Sequence, residues 1–496
     1  MNLPDLSPLR LTLAAIPPAV LLHLPTMVFI FCFGACVGSF INVVIYRLPA
    51  GMSVISPPSR CPTCGARLKF FRENLPILGW FLVRGRCLHC RAPVSPRYMI
   101  IELLMALLFL GLYAVLYTVS RTTPWWGEIG GPWWTSNTFF RTWPVFVAFA
   151  FMLAALVAMT VIDAETFMIP LEIPTFVTLT AFVAYPLQSI LPHRTPTPPA
   201  GTTIDAWNWP IHGVNWQWFL TACGGMLGVL IALVLLRLGM LRASFADYDK
   251  FVKDDQPLAE YPHARREMRV ELVFLLPCMI GLIAGYFLGG WLPSSAPPEL
   301  AQAVGGVFLG YLVGGGLVWA IRILGTLAFG REAMGLGDVH LLAAVGAVLG
   351  WFDPILIFFI APFSGLIWAR LSTGLSKVFR MVKRQLPFGP HLAVATLIVL
   401  LGRPGLAALW RAYFPPTQPI PARGLVEGGG SGPPSSPSGP GRSVPRPQPP
   451  PGGPSAPSGG ADNLTLQPVP SAAVVACRRA LARPGPHRTH GGAGLG

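Results

Sequence analysis

Long apolar runs alternate along the chain with short connections that are either basic or rich in tryptophan and proline. A helix needs about 20 apolar residues to cross the hydrocarbon of a bilayer. Runs of that kind lie near 25–46, 99–119, 142–162, 171–191, 217–239, 272–291, 302–325, 354–372 and 388–410. A shorter, glycine-bearing run near 339–351 is expected to be tilted or partly re-entrant. The pattern predicts an all-α polytopic membrane protein with about ten transmembrane helices. The strand alternation of an outer-membrane barrel is missing.

Composition supports the same class. Hydrophobic residues make up 53% of the 496 positions and charged residues 11%, against roughly 25% charged in a globular chain. That excludes a soluble globular enzyme. The net charge of +15 would raise nucleic acid as a partner in a soluble protein. In a membrane protein basic residues hold loops in the cytoplasm, so the expected partner surface is the lipid bilayer and no nucleic acid is expected.

Loop charges set an orientation. Arg47, Arg60, Arg67, Lys69, Arg72, Arg84, Arg86, Arg91 and Arg97 face the single acid Glu73 in segment 47–98, which places it in the cytoplasm. Alternation then puts 240–271 and 374–386 inside, both basic through Arg265, Arg266, Arg269, Lys377, Arg380, Lys383 and Arg384. It puts 120–141 and 192–216 outside, where Trp125, Trp126, Trp133, Trp134, Trp207 and Trp209 read as an interfacial aromatic belt. The first apolar run lacks a basic n-region and a clear small-residue cleavage site, so no removed signal peptide is expected.

The expected organisation has four parts. Residues 1–46 form an N-terminal segment with the first helix, and 47–98 a cytoplasmic metal-binding segment. Residues 99–410 form the transmembrane domain, and 411–496 a Pro/Gly/Ser-rich tail that cannot bury enough surface to offset chain entropy and reads as disordered.

Candidate chemistry starts with Cys61-Pro-Thr-Cys64 and Cys87-Leu-His-Cys90. Two CxxC knuckles at this separation resemble a zinc ribbon, in which four thiolates close a structural Zn2+ site and leave no open position for water. Two redox pairs or unbound thiols remain the alternative, and His89 reads as a bystander.

Ionisable groups in or beside spans are costly and therefore functional candidates. Asp163 ends the third span and Asp338 opens the eighth, after Gly335 and Gly337; both fall at the cytoplasmic boundary. Two carboxylates brought together there would share a proton, as an aspartic protease requires. The alternative is a solvated helix end at Asp163 and a helix N-cap at Asp338.

Several separated pieces in order carry a family resemblance: Gly38-Ser39-Phe40-Ile41-Asn42 through Tyr46-Arg47-Leu48-Pro49, the paired knuckles with Glu73-Asn74-Leu75-Pro76 between them, and Pro93-Val94-Ser95-Pro96-Arg97-Tyr98 with Glu102. Asp163 with Ile169-Pro170, the run from Gly335 to Ala347, and Pro387-Phe388-Gly389-Pro390 complete the set. The chain resembles the type IV prepilin peptidases, bifunctional leader peptidases and N-methyltransferases of the GxGD aspartic protease group, over residues 30–191 and 331–401.

The resemblance implies a protein of the bacterial inner membrane. It would cut the basic leader after glycine from type IV prepilins or type II secretion pseudopilins on the cytoplasmic side, with Asp163 and Asp338 as the catalytic dyad. It further implies methylation of the new N-terminus with S-adenosylmethionine, with Glu73 as a candidate to bind the new amine. For Glu73, a solvated surface position is the alternative. Asn42 could equally glue helices together, and Arg47 could simply anchor the interface.

Departures from the family pattern are four spans instead of two between the aspartates, a probable extra-helix insertion around 192–330, Leu171-Glu172 after the proline, and His340 in place of a lysine. Two other readings stand beside this one. One is a transporter or channel with a zinc-stabilised loop, for which no internal repeat speaks. The other is an inactive pilus-assembly scaffold, against which both aspartates argue.

Overall fold

In a computed structural model, the structure describes residues 18–118, 129, 132–192, 214–247, 261–293, 295–379 and 388–413. The expectations for the tail, for Trp125, Trp126, Trp207 and Trp209, and for Arg380, Lys383 and Arg384 lie outside these residues. Ten apolar helices follow one another: α1 (Pro18–Arg47), α2 (Arg97–Tyr113, continued by a π-helical turn at Ala114–Thr118), α3 (Phe139–Thr166), α4 (Glu172–Ile190), α5 (Trp216–Arg237), α6 (Ala264–Gly290), α7 (Glu299–Phe329), α8 (Leu336–Leu349), α9 (Asp353–Phe379) and α10 (Gly389–Tyr413). Among the described residues, nine are long and apolar enough to cross a membrane, and α8 is the shorter one. The protein is a multi-pass membrane protein.

Two helices form the centre. α3 buries most of its residues from Val145 to Asp163, and α8 buries almost its whole length. α8 packs on α7 and α4 and touches α3, α9 and α10. At 1.5 Å per residue its 14 residues reach about 21 Å, short of the roughly 30 Å hydrocarbon core. Surrounding helices cover it on all sides, so its polar first turn faces protein instead of lipid.

Close helix contacts are made through glycine. Without water, helices in lipid gain by letting backbones approach, which small residues four apart allow. A Cβ at Gly346 of α8 would sit 2.1 Å from the Gly310 carbonyl oxygen of α7, and one at Gly310 would sit 2.1 Å from the Gly346 oxygen. The α5–α6 hairpin closes the same way, with a Cβ at Gly281 only 2.0 Å from the Gly224 oxygen.

One expectation is corrected. Trp133 and Trp134 do not line an interface: they lie on a short helix, Pro132–Asn137, and are 4% and 0% exposed. Trp134 meets Tyr117 edge-on at 5.7 Å and Phe149 at 6.2 Å. Aromatic pairing and burial outcompete the interfacial site for these rings.

Replacing Gly346 with Ala should push α8 from α7. We expect a loss of about 1–3 kcal/mol, the range for overpacking a tight contact, read as a lower melting temperature in detergent. Gly316→Ala, whose Cβ meets nothing within 4 Å, should melt like the parent.

Candidate active site and metal centre

Asp163 sits in the last turn of α3 and is 6% exposed. The helix stops at Phe167, left-handed at φ 56°, whose N–H returns to the Asp163 carbonyl 2.9 Å away. The chain then folds back through Ile169 and Pro170 into α4. Asp338 lies in the first turn of α8 and is 8% exposed. Its carboxylate lies beside Gly335, the residue that caps the helix.

These pieces converge. The Gly389 N–H at the start of α10 donates to Asp163 Oδ2 at 3.1 Å. The Asp163 carboxylate is close enough to act electrostatically on Asp338. Ile169 wedges between the two glycine-bearing turns: a Cβ at Gly337 would lie 2.8 Å from Ile169 Cβ, and one at Gly389 would lie 2.5 Å from Asp163 Oδ2. Three turns far apart in sequence thus close around two buried carboxylates. Asp163 is buried and is not a solvated helix end, and the N-cap of α8 is Gly335, with Asp338 three residues further on. Two carboxylates in such a place could share one proton, which would set an acid and a base side by side.

The four cysteines also come together. Each knuckle repeats one backbone pattern: Cys61 N–H to Ala66 O at 2.9 Å and Gly65 N–H to Cys61 O at 2.9 Å, then Cys87 N–H to Ala92 O at 2.9 Å and Arg91 N–H to Cys87 O at 3.0 Å. Gly65 (φ 69°) and Arg91 (φ 60°) occupy the same left-handed position. The sulfur atoms all lie within 4.8 Å of one another, with Cys61–Cys90 at 3.8 Å and Cys64–Cys87 at 4.0 Å. Tetrahedral Zn–S bonds of about 2.3 Å require sulfurs about 3.8 Å apart. The Cys61 thiol is held down to about 6 by the backbone N–H of Cys64 and then that of Thr63, whereas Cys64, despite the backbone N–H of Ala66, is pushed up to about 12 by burial and the neighbouring sulfurs.

The other sequence candidates are placed individually. Glu73 Oε2 accepts the Lys69 N–H at 2.9 Å, and its Oε1 is buried without a hydrogen-bond partner. Asn42, 7% exposed, donates to the Tyr98 carbonyl at 3.0 Å, joining α1 to the start of α2. Arg47 donates to the Ser53 carbonyl at 3.1 Å. Glu102 Oε2 accepts the Ile77 N–H at 2.7 Å and pins the cysteine-bearing segment to α2. Arg97 and Glu165 form an ion pair across a cleft of about 460 Å³ that Asn42, Tyr46, Ser95 and Tyr98 also line.

Sequence reasoning missed the buried Glu271–Arg322 pair of α6 and α7, joined at 3.2 Å. Arg322, the one charge in the apolar run 302–325, was the available signal.

Residues 32–116 match the bacterial peptidase A24 N-terminal domain. Residues 266–370, which hold Asp338 but not Asp163, match the type IV leader peptidase family. A prepilin leader peptidase/N-methyltransferase of Myxococcus xanthus is 52% identical over 82 residues, 16% of this chain and 24% of that protein. The protein of the same description from Aeromonas hydrophila is 27% identical over 398 residues, covering 75% of this chain and 89% of its own length. That from Dichelobacter nodosus is 26% identical over 416 residues, 78% of this chain and 95% of its own. No solved structure matches.

Gly389→Ala should displace the Asp163 carboxylate, because the new methyl would sit 2.5 Å from Oδ2. We expect a destabilisation of about 1–3 kcal/mol from that crowding, visible as a lower melting temperature of the detergent-solubilised protein.

Proposed function

We propose that the chain is a member of the type IV leader peptidase family, that it cleaves prepilins or pseudopilins and that it methylates the new N-terminus. It is a membrane aspartic endopeptidase that removes a basic leader after glycine. The observation that carries the reading is the approach of Asp163 and Asp338 in one buried place. Transport and scaffold roles leave that approach without a purpose.

The mechanism follows from one shared proton. The ionised carboxylate takes a proton from water as the water oxygen adds to the scissile carbonyl carbon. The protonated carboxyl gives its proton to the leaving nitrogen as the C–N bond breaks. Base and acid are properties of the pair, so neither aspartate is assigned alone. Gly389 N–H, donating to Asp163 Oδ2, orients that carboxylate. Gly337 and Gly389 carry no side chain, which lets Ile169 and the Asp163 carboxylate pack this closely.

The basic loops support an orientation with this site facing the cytoplasm of a bacterial inner membrane. Substrate leaders are themselves basic and would be met on that side. We take 47–98 as the cytoplasmic metal-binding segment and 99–410 as the peptidase domain.

Zinc fits the four-sulfur cluster by spacing and by chemistry: Cys61, Cys64, Cys87 and Cys90 would hold it in a closed, structural site. S-adenosylmethionine would supply the methyl group. The Arg97–Glu165 cleft fits its amino-acid end, offering a cation to the carboxylate and an anion to the ammonium, with Tyr46 and Tyr98 as apolar walls. Glu73, with one carboxylate oxygen unpartnered, is suited to hold the fresh amine.

Asp163→Asn and Asp338→Asn should each abolish leader removal while the protein inserts and melts as the parent does. Cleavage of a prepilin by either variant at the parental rate would remove the dyad. The purified protein should contain about one zinc per chain, and serine at any of the four cysteines should lower the zinc content measured by elemental analysis. A metal-free parent whose four thiols alkylate freely under native conditions would leave only the redox reading.

A further inference from the structure

The turn that presents Asp338 is tied to the α5–α6 hairpin by buried charges. Arg322 of α7 is 1% exposed and Glu271 of α6 is 3% exposed. A guanidinium removed from water this far is tolerated only when its donors are all used. Arg322 Nη2 donates to Glu271 Oε1 at 3.2 Å, and Nε reaches both Glu271 oxygens at 3.3 Å. The other Glu271 oxygen also accepts from Trp319 Nε1 at 2.7 Å. Arg322 Nη1 donates to Glu332 and to the Met334 carbonyl, on the loop that leads directly into Gly335-Leu336-Gly337-Asp338.

Around this core the hairpin also grips the end of α7, and α7 holds the loop. Phe245, from the α5–α6 connection, lies under the guanidinium at 5.4 Å, a cation–π contact. Arg265 of α6 donates to the Leu327 and Ala328 carbonyls at 2.9 and 3.1 Å, capping the end of α7. The Ala333 N–H is taken by Thr326 Oγ1 at 3.1 Å. A fork with fixed geometry transmits position where a flexible ammonium would not.

We infer that Glu271, Arg322 and Glu332 are positioning residues, a brace through which the α5–α6 hairpin sets the Asp338 turn against Asp163. The inference rests on the peptidase reading above. It gives the hairpin a role in catalysis without contact to substrate. A brace that only staples helices together would alter melting. A brace that aims a carboxylate alters turnover, because a displacement of about 1 Å in a catalytic group can cost roughly a hundredfold in rate.

The test uses the full chain in detergent or nanodiscs, with a prepilin as substrate. Glu332→Ala is the safest variant, since that side chain is 42% exposed and its loss leaves the helices packed. We expect kcat to fall about tenfold or more with KM within about twofold, and backbone amides of 331–338 to exchange with deuterium faster than in the parent. Glu271→Gln should behave alike, and Arg322→Lys should keep more turnover than Arg322→Gln. Parental kcat and parental exchange in Glu332→Ala and Glu271→Gln would overturn the brace, and so would a fall confined to KM. If the parent does not cleave prepilins, the peptidase reading fails, and the exchange rates of 331–338 still decide whether these charges position the turn.

Discussion

Carboxylates withdrawn from water repel one another and lose their hydration, so a pair of them persists inside a membrane protein only where other groups hold them together. Every central feature of this molecule answers that constraint for Asp163 and Asp338. α3 and α8 bring them to one place from opposite helix ends, one carboxylate on a last turn and the other on a first. The backbone N–H of Gly389 donates to Asp163, and Gly335 at the start of α8 lies beside Asp338. The depth of α8 follows from the same need: a helix too short to span is kept from lipid by its neighbours.

Glycine makes this closeness possible. The mutual contact of Gly310 and Gly346 seats α8 against α7 backbone to backbone, and that contact fixes the level at which Asp338 emerges. Behind it stands Arg322, which links α7 to Glu271 of α6 and to the carbonyl of Met334. The site is therefore supported from two sides, by packed glycines and by buried charge. Removing one partner of such a charge group would strand the other without water.

The sequence was legible where the signal is local. Apolar runs gave nine long helices close to the observed bounds, and the CxxC spacing gave the sulfur cluster. Knuckle geometry is set by a few consecutive residues, so it can be read from them. The short run at 339–351 was read as tilted or re-entrant because length alone does not say what surrounds a helix. Trp133 and Trp134 were misread for the same reason, since burial against Tyr117 and Phe149 is a tertiary outcome. Asp163 and Asp338 were singled out by depth, but the hydrogen bond from Gly389 to Asp163 spans 226 positions. Glu271 and Arg322 lie 51 positions apart, and no local signal in the sequence points to their pairing.

The central claim is that two aspartates act as one unit on the tetrahedral state of the peptide bond. Binding of a leader peptide carrying a non-hydrolysable hydroxyl isostere at the cleaved glycine tests it most directly. A catalyst binds such an analogue about a hundredfold or more tighter than the substrate peptide. The account predicts that Asp163→Asn and Asp338→Asn each lose that advantage, and that the double variant loses no more than either alone, as groups acting together do. An analogue bound no tighter than the plain peptide, or single losses that simply add in the double variant, would contradict it.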